Sequence, residues 1–224
     1  GYYFAAMDCY KKAKNYSKAI SIIEKLESAK GENIETALQK HQIYLKMGKT
    51  KEAERVLLSL DKATPKNPMV LASLVDFYFK NGEEPKAFLR LKDLVTEDPQ
   101  NGMGLLMLAE YSYRQGNQNQ TGNYFYKAIQ SENISVVETI HAFDYLIYQK
   151  DTLKINTSIL TMERVFPDND TILSALGDYY FQVGALPYQG ETNNIEYRKT
   201  GLTYYNRAVD VNPNRYDIWE KLLY

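Results

Sequence analysis

The sequence predicts an all-α fold: a solenoid of about six helical hairpins closed by a terminal helix. Three observations carry this expectation. Landmark residues return every 34 positions: Gly48, Gly82, Gly116 and Gly184 share one lattice, Pro65, Pro99 and Pro167 a second, Ala19, Ala53 and Ala87 a third, and Tyr10, Tyr44, Tyr78 and Tyr180 a fourth. Independent columns with one period mark an internal repeat. Between the landmarks the apolar spacing is helical, as in Leu71, Leu74, Val75 and Tyr78, then Leu91, Leu94 and Val95. The landmarks themselves do helix-ending work: a glycine caps a first helix by tolerating left-handed dihedrals, and a proline ends the second because it cannot extend the hydrogen-bond ladder.

The elements follow in order. A first hairpin has helices near 1–14 and 16–29, with Ala19 where the two cross. The second, near 34–47 and 50–63, carries Tyr44, Gly48, Ala53, Leu57 and Pro65. In the third, near 68–81 and 84–97, Pro85 falls in a first helical turn, where its missing N–H is no loss. The fourth, near 103–115 and 118–131, holds Leu108-Ala109, Gly116, Thr121, Phe125 and Ala128, with Asn133 at the skipped proline mark. The fifth, near 135–149 and 152–165, is the most degenerate, with Lys150 in the glycine slot. The sixth begins near 169–183 with Leu176-Gly177, Tyr180 and Gly184, and then the period slips: Pro213 follows Pro167 by 46 residues rather than 34. Twelve inserted residues, about 185–196, account for the delay. "ALPYQGET" supplies the breakers, and a long second helix near 192–211 is expected with Thr192 or Asn193 as its N-cap. From Arg215 a half repeat with Trp219-x2-Leu222 would cover the open face of the last hairpin.

These landmarks resemble the tetratricopeptide repeat, a 34-residue helix–turn–helix unit with a W-x2-L-G-x2-Y, A-x3-F, A, P signature. The resemblance implies a right-handed α-solenoid and one repeat domain over 1–224, with repeats near 1–33, 34–67, 68–101, 102–135, 136–169 and 170–215 and a half repeat 216–224. Lys40-His41 and Phe143 depart from the signature, so looser or rotated helix crossings are expected there. The Tyr- and Asn-rich composition is similar to that of bacterial repeat proteins of the Bacteroidetes type, many of them exported, which implies a cell-envelope or periplasmic setting. With Gly1 in first place and Tyr224 in mid-pattern, the chain is expected to be part of a longer protein.

Composition narrows the function classes. The 224 residues are 44% hydrophobic and 25% charged, ordinary globular values, and 27 Lys plus Arg against 28 Asp plus Glu leave a net charge of −1. No basic surplus suits nucleic acid, so none is expected as partner. No apolar stretch is long enough to insert in a bilayer. One cysteine, Cys9, rules out an internal disulfide framework and is expected beside the core. His41 and His141 lie on different repeats without further ligands nearby, so no metal, no cofactor and no catalytic residues are expected; both histidines read as surface or half-buried. "NGMG" at 101–104 lacks a preceding strand and reads as a helix start. Asn15, Asn119, Asn133, Asn156 and Asn169 head N-x-[ST] sequences best explained by capping and turns.

What remains is recognition. The resemblance implies that first helices line a concave face on which peptides dock. Three ladders with 34-residue steps fall there: Asp8, Gln42, Asp76, Glu110, Asp144, Asp178; then Lys11, Leu45, Phe79, Tyr113, Ile147, Phe181; then Lys12, Lys46, Lys80, Arg114, Tyr148, Gln182. Asp8–Lys12, Asp76–Lys80 and Glu110–Arg114 are i, i+4 pairs that support a helix. Asp144 and Asp178 face Tyr148 and Gln182 instead, and are expected to lack a basic partner. The expected groove site is therefore Phe79, Tyr113, Asp144, Ile147, Tyr148, Asp178 and Phe181, taking a protein or peptide segment with a basic side chain. The family's clamp for acidic chaperone tails is not expected, since Phe4/Asp8 and Leu38/Gln42 supply no ammonium. Two alternatives stay open: an accessory module of a larger enzyme or regulator, and a glycan-binding envelope protein.

Overall fold

The computed structural model describes residues 2–184 and 191–223. Thirteen helices and no strand make up this part of the chain, with 82% of it helical. They are α1 (Tyr2–Lys12), α2 (Tyr16–Lys30), α3 (Ile34–Lys46), α4 (Thr50–Ala63), α5 (Pro68–Lys80), α6 (Glu84–Glu97), α7 (Gly102–Arg114), α8 (Gln118–Gln130), α9 (Val136–Gln149), α10 (Thr152–Val165), α11 (Asp170–Gly184), α12 (Glu191–Val211) and α13 (Tyr216–Leu223). The boundaries follow the glycine and proline columns to within about two residues. Contacts divide the chain into two compact units, Gly1–Asp98 and Pro99–Tyr224.

The first unit stacks the hairpins α1/α2, α3/α4 and α5/α6. Ala19, Ala53 and Ala87 are fully buried, so the small-residue column marks where helices approach most closely. Around Ala53 and Ala87 pack Leu57, Leu60, Val70, Leu74, Phe77 and Tyr78, and around Ala19 pack Met7, Ile20, Ile23 and Ile43. The Lys40-His41 departure does not loosen its crossing. Lys40 pairs with the largely buried Glu27, and His41, only 3% exposed, sets its ring edge-on to Phe77 at 5.6 Å. Its Nδ1–H donates to the Ala53 carbonyl at 3.0 Å, replacing the water lost on burial. His41 is therefore a core residue rather than a surface or half-buried one, and burial lowers its pKa. Cys9 is exposed, against expectation. The core side of α1 runs through Met7 and Tyr10, and a residue two places from Met7 points roughly 200° away from it.

The second unit builds hairpins α7/α8 and α11/α12, lays α9 and α10 on α8, and adds α13 against α12. Leu108, Phe125, Leu176 and Tyr205 are buried, as Leu91 and Leu94 are in the first unit. Phe143 is completely buried too, filling its crossing rather than loosening it. α12 begins at Glu191, so Thr192 and Asn193 lie in its first turn and not at its cap. Most of the 185–196 insert lies outside the described residues. α13 buries Ile218, while Trp219 remains 44% exposed and donates its Nε1–H to the Pro213 carbonyl.

Two periodic features set the hairpin geometry. Gly48, Gly82 and Gly116 have φ near +70°, and the same lattice puts Lys14 (φ 54°) and Lys150 (φ 58°) in left-handed backbone despite their side chains. A column unnoticed in the sequence, Asn33, Asn67, Asn101, Ser135 and Asn169, opens the first helix of each later hairpin; their side chains accept N–H bonds from two or three residues on. Asn15 caps α2 and Asn169 serves α11, as expected of the sequon asparagines, while Asn119 and Asn156 sit inside α8 and α10. Asn133 holds the skipped proline mark in its own way. Its amide donates to the Gln100 carbonyl and its Oδ1 accepts from Gly102 N–H at 3.1 Å, a contact that leaves no room for a side chain at 102.

Candidate partner-binding surface

α9 is placed by a capping box: Ser135 accepts from Glu138 N–H while the Glu138 carboxylate accepts from Ser135 N–H. Thr139, Ala142, Phe143 and Leu146 turn into the core. The opposite side presents His141, Asp144 and Tyr148, all exposed and spaced one helical turn apart. No hydrogen bond or ion pair from a described residue reaches the Asp144 carboxylate. Its pKa is raised, chiefly by partial desolvation from the atoms around it, although the residue remains exposed; the nearby His141 opposes the shift, and the Asp178 carboxylate adds to it.

A row of aromatic rings runs along the same stretch of α9. Tyr145 meets Tyr113 edge-on at 5.9 Å, Tyr148 at 6.1 Å and Phe125 at 5.1 Å, and Phe125 also touches His141. Tyr113 and Tyr148 are 59% and 70% exposed, so the two ends of this row face solvent.

The other expected site residues are placed differently. Asp178 has no cation at i+4, yet it is not without a basic partner. Lys221 of α13 reaches both carboxylate oxygens, at 2.7 and 3.0 Å, and Tyr205 donates its hydroxyl at 2.6 Å. The expectation of a second unpaired acid is thereby corrected. Phe181 stacks on Tyr205 at 5.3 Å inside the α11/α12 hairpin, and Phe79 packs edge-on against Phe88 at 5.0 Å, both half-buried. Ile147 lines a cavity of about 530 Å3 beyond the carboxyl end of α9, opposite Tyr179, Tyr180 and Tyr197. Among the helix pairs, Asp76–Lys80 forms at 2.8 Å, whereas Asp8 pairs with Lys11 rather than Lys12. No group of three or more His, Cys, Asp or Glu suited to a metal occurs among the described residues, and no described helix is long and apolar enough to cross a membrane.

The Tyr205 position depends on two glycines. A Cβ at Gly177 would overlap the Tyr205 ring, and one at Gly201 would overlap Phe181. The glycines thus let α11 and α12 approach closely enough for the phenol to reach Asp178.

Known proteins match this arrangement. The tetratricopeptide repeat family model matches residues 10–75. No curated protein matches the chain. Among solved structures, the C-terminal part of a TPR repeat-containing protein from Cytophaga hutchinsonii is similar, with TM-score 0.56 and 18% identity, covering 93% of this chain and 78% of that one. A tetratricopeptide repeat protein from Parabacteroides merdae gives TM-score 0.53 and 16% identity, covering 98% and 96%. YrrB, described as a TPR protein with an unusual peptide-binding site, gives 0.51 and 10%, covering 89% and 96%. The family match covers the early hairpins, and over the rest of the described chain the likeness is one of fold, a solenoid of tetratricopeptide-type helical hairpins.

Proposed function

We propose that the chain is a non-catalytic scaffold that binds a protein or peptide segment, and that in the second unit the segment lies across the exposed face of α9. The observation that carries this reading is Asp144, an exposed carboxylate with no ion pair to a described residue, one helical turn from the exposed Tyr148 on a helix whose Tyr145 meets the exposed Tyr113. An acid whose charged form is disfavoured gains most from an arriving cation, and tyrosines flanking it add stacking and cation–π contact. The repeat fold suits a protein-interaction scaffold, and the peptide-binding site ascribed to YrrB adds support for a peptide as the ligand class. Asp178 then contributes through its field on Asp144 rather than as a second docking point.

Photocrosslinking tests this in the native cell. A p-benzoylphenylalanine in place of Tyr148 is expected to trap a partner that the same group in place of the exposed Leu89 does not, and Asp144→Asn should suppress the trapped species. Equal trapping from both positions, or trapping indifferent to Asp144→Asn, would contradict the assignment.

A further inference from the structure

The cavity beyond the carboxyl end of α9 has features of a built site. Its volume of about 530 Å3 falls in the range of pockets that enclose a ligand group. Tyr179 and Tyr180 meet edge to face at 5.2 Å, Tyr180 lies 6.2 Å from Tyr197, and Tyr204 stacks on Tyr180 at 5.5 Å, so the aromatic walls brace one another. Ile147, Ile155 and Val183 supply aliphatic surface. Tyr179 is only 9% exposed. Burial and the neighbouring phenols push its pKa up to about 12, so it stays an O–H donor at neutral pH. Among the described lining residues Lys150 is the one charged group; Thr152, Asn156 and Gln182 are neutral.

We propose that this cavity is a side-chain pocket: it takes a bulky apolar residue of the bound segment, with an acidic residue beside it meeting Lys150. The inference rests on the peptide-scaffold reading above and gives the ligand a sequence. No carboxylate is among the described lining residues and Lys150 would repel a cation, so a basic side chain is disfavoured there, whereas Asp144 attracts one. Asp144 and Lys150 are six positions apart along α9 and its cap, about 9 Å in axial rise and about 120° apart around the helix, an angular gap that the long Lys150 side chain and those of the segment must span. An extended strand covers that distance in roughly three residues. The segment that fits is therefore a basic residue, a bulky apolar residue directly after it, and an acid about three positions from the base, with the Tyr179 hydroxyl as a donor to a peptide carbonyl.

Two capped probes of identical composition test the order: acetyl-Arg-Phe-Gly-Glu-amide and its charge-reversed form acetyl-Glu-Phe-Gly-Arg-amide, titrated into methyl-labelled protein by NMR. The first is expected to shift the Ile147, Ile155 and Val183 methyls and to bind roughly five- to tenfold more tightly than the second, as two exposed ion pairs allow. Lys150→Gly should weaken the first probe about two- to fivefold, although it relaxes the left-handed backbone and does not loosen the fold. Asn156→Trp, at the exposed rim, should block the shifts. Unmoved Ile155 and Val183 methyls, equal binding of the two probes, or no change with Lys150→Gly would overturn the proposal. The two readings fail separately. Crosslinking at Tyr148 that survives Asn156→Trp, with silent methyls, removes the pocket alone. Methyl shifts that persist while Asp144→Asn leaves crosslinking unaltered remove the α9 face.

Discussion

Lys150→Gly and Gly82→Ala are opposite perturbations of one structural rule. Both positions lie on the 34-residue lattice and both hold left-handed backbone, φ +58° at Lys150 and +73° at Gly82. A Cβ at Gly82 would meet nothing within 4 Å, so Gly82→Ala perturbs the backbone alone. Left-handed conformation costs an L-residue about 1–2 kcal/mol, and the stiffer unfolded chain of alanine returns about 0.4–1 kcal/mol. Gly82→Ala should therefore destabilise by about 1 kcal/mol. Lys150→Gly should do the reverse, gaining about 0.5–1 kcal/mol, because the Lys150 side chain is exposed and its loss relieves the left-handed backbone. Urea unfolding followed by circular dichroism reads both: the midpoint should fall for Gly82→Ala and rise for Lys150→Gly, with the slope unchanged. A lower midpoint for Lys150→Gly would refute the rule, since Lys150 would then be held by its side chain and not merely tolerated by the turn.

His41 should make stability pH-dependent. Its folded pKa is depressed by burial, so its contribution is complete above the ordinary value of about 6.5 and declines as pH falls below it, because the unfolded chain takes up the proton first; His41→Leu should flatten that slope between pH 6.5 and 5.5, as seen by urea midpoints. Gly177→Ala should lower stability by about 1–3 kcal/mol through overpacking against Tyr205, even though alanine favours a helix by about 1 kcal/mol, and calorimetry of the single variant checks the sign. Leu94→Ala, at a position 5% exposed, should lose about 2–5 kcal/mol; an unchanged melting temperature would mean that the column is not in the core.

The fold was legible because its determinants are local and periodic. A glycine that must be left-handed, a proline that must end a helix and an alanine at a crossing each leave a residue type at a fixed step, so Gly48, Pro65 and Ala53 could be read directly. Where side chain met side chain across long sequence separation, the periodicity carried no information. Lys221 lies 43 residues from Asp178, on the half repeat displaced by the insert, and nothing in the ladder arithmetic brings them together. His41 and Lys40 looked like errors in the repeat because the partners that satisfy them, the Ala53 carbonyl and Glu27, sit on neighbouring helices. The tyrosine cavity escaped notice for the same reason: its walls come from α9 and α10 on one side and α11 and α12 on the other. Asp144, by contrast, was exposed by a missing i+4 cation on its own helix, a purely local signal. The Asn33, Asn67, Asn101, Ser135 and Asn169 cap column was equally readable, one more 34-residue step in plain view.

The central claim is that Asp144 is an uncompensated carboxylate that awaits a partner's cation. Its carbon-detected NMR titration measures this directly. The Asp144 side chain should titrate above the ordinary aspartate value of about 3.9, in the direction that burial and the Asp178 charge impose. Addition of acetyl-Arg-Phe-Gly-Glu-amide should bring that pKa down, while the charge-reversed peptide should not. A carboxylate that titrates at or below the ordinary value in the free protein, and does not respond to either peptide, would mean that Asp144 is already compensated within the fold and is not where a partner binds.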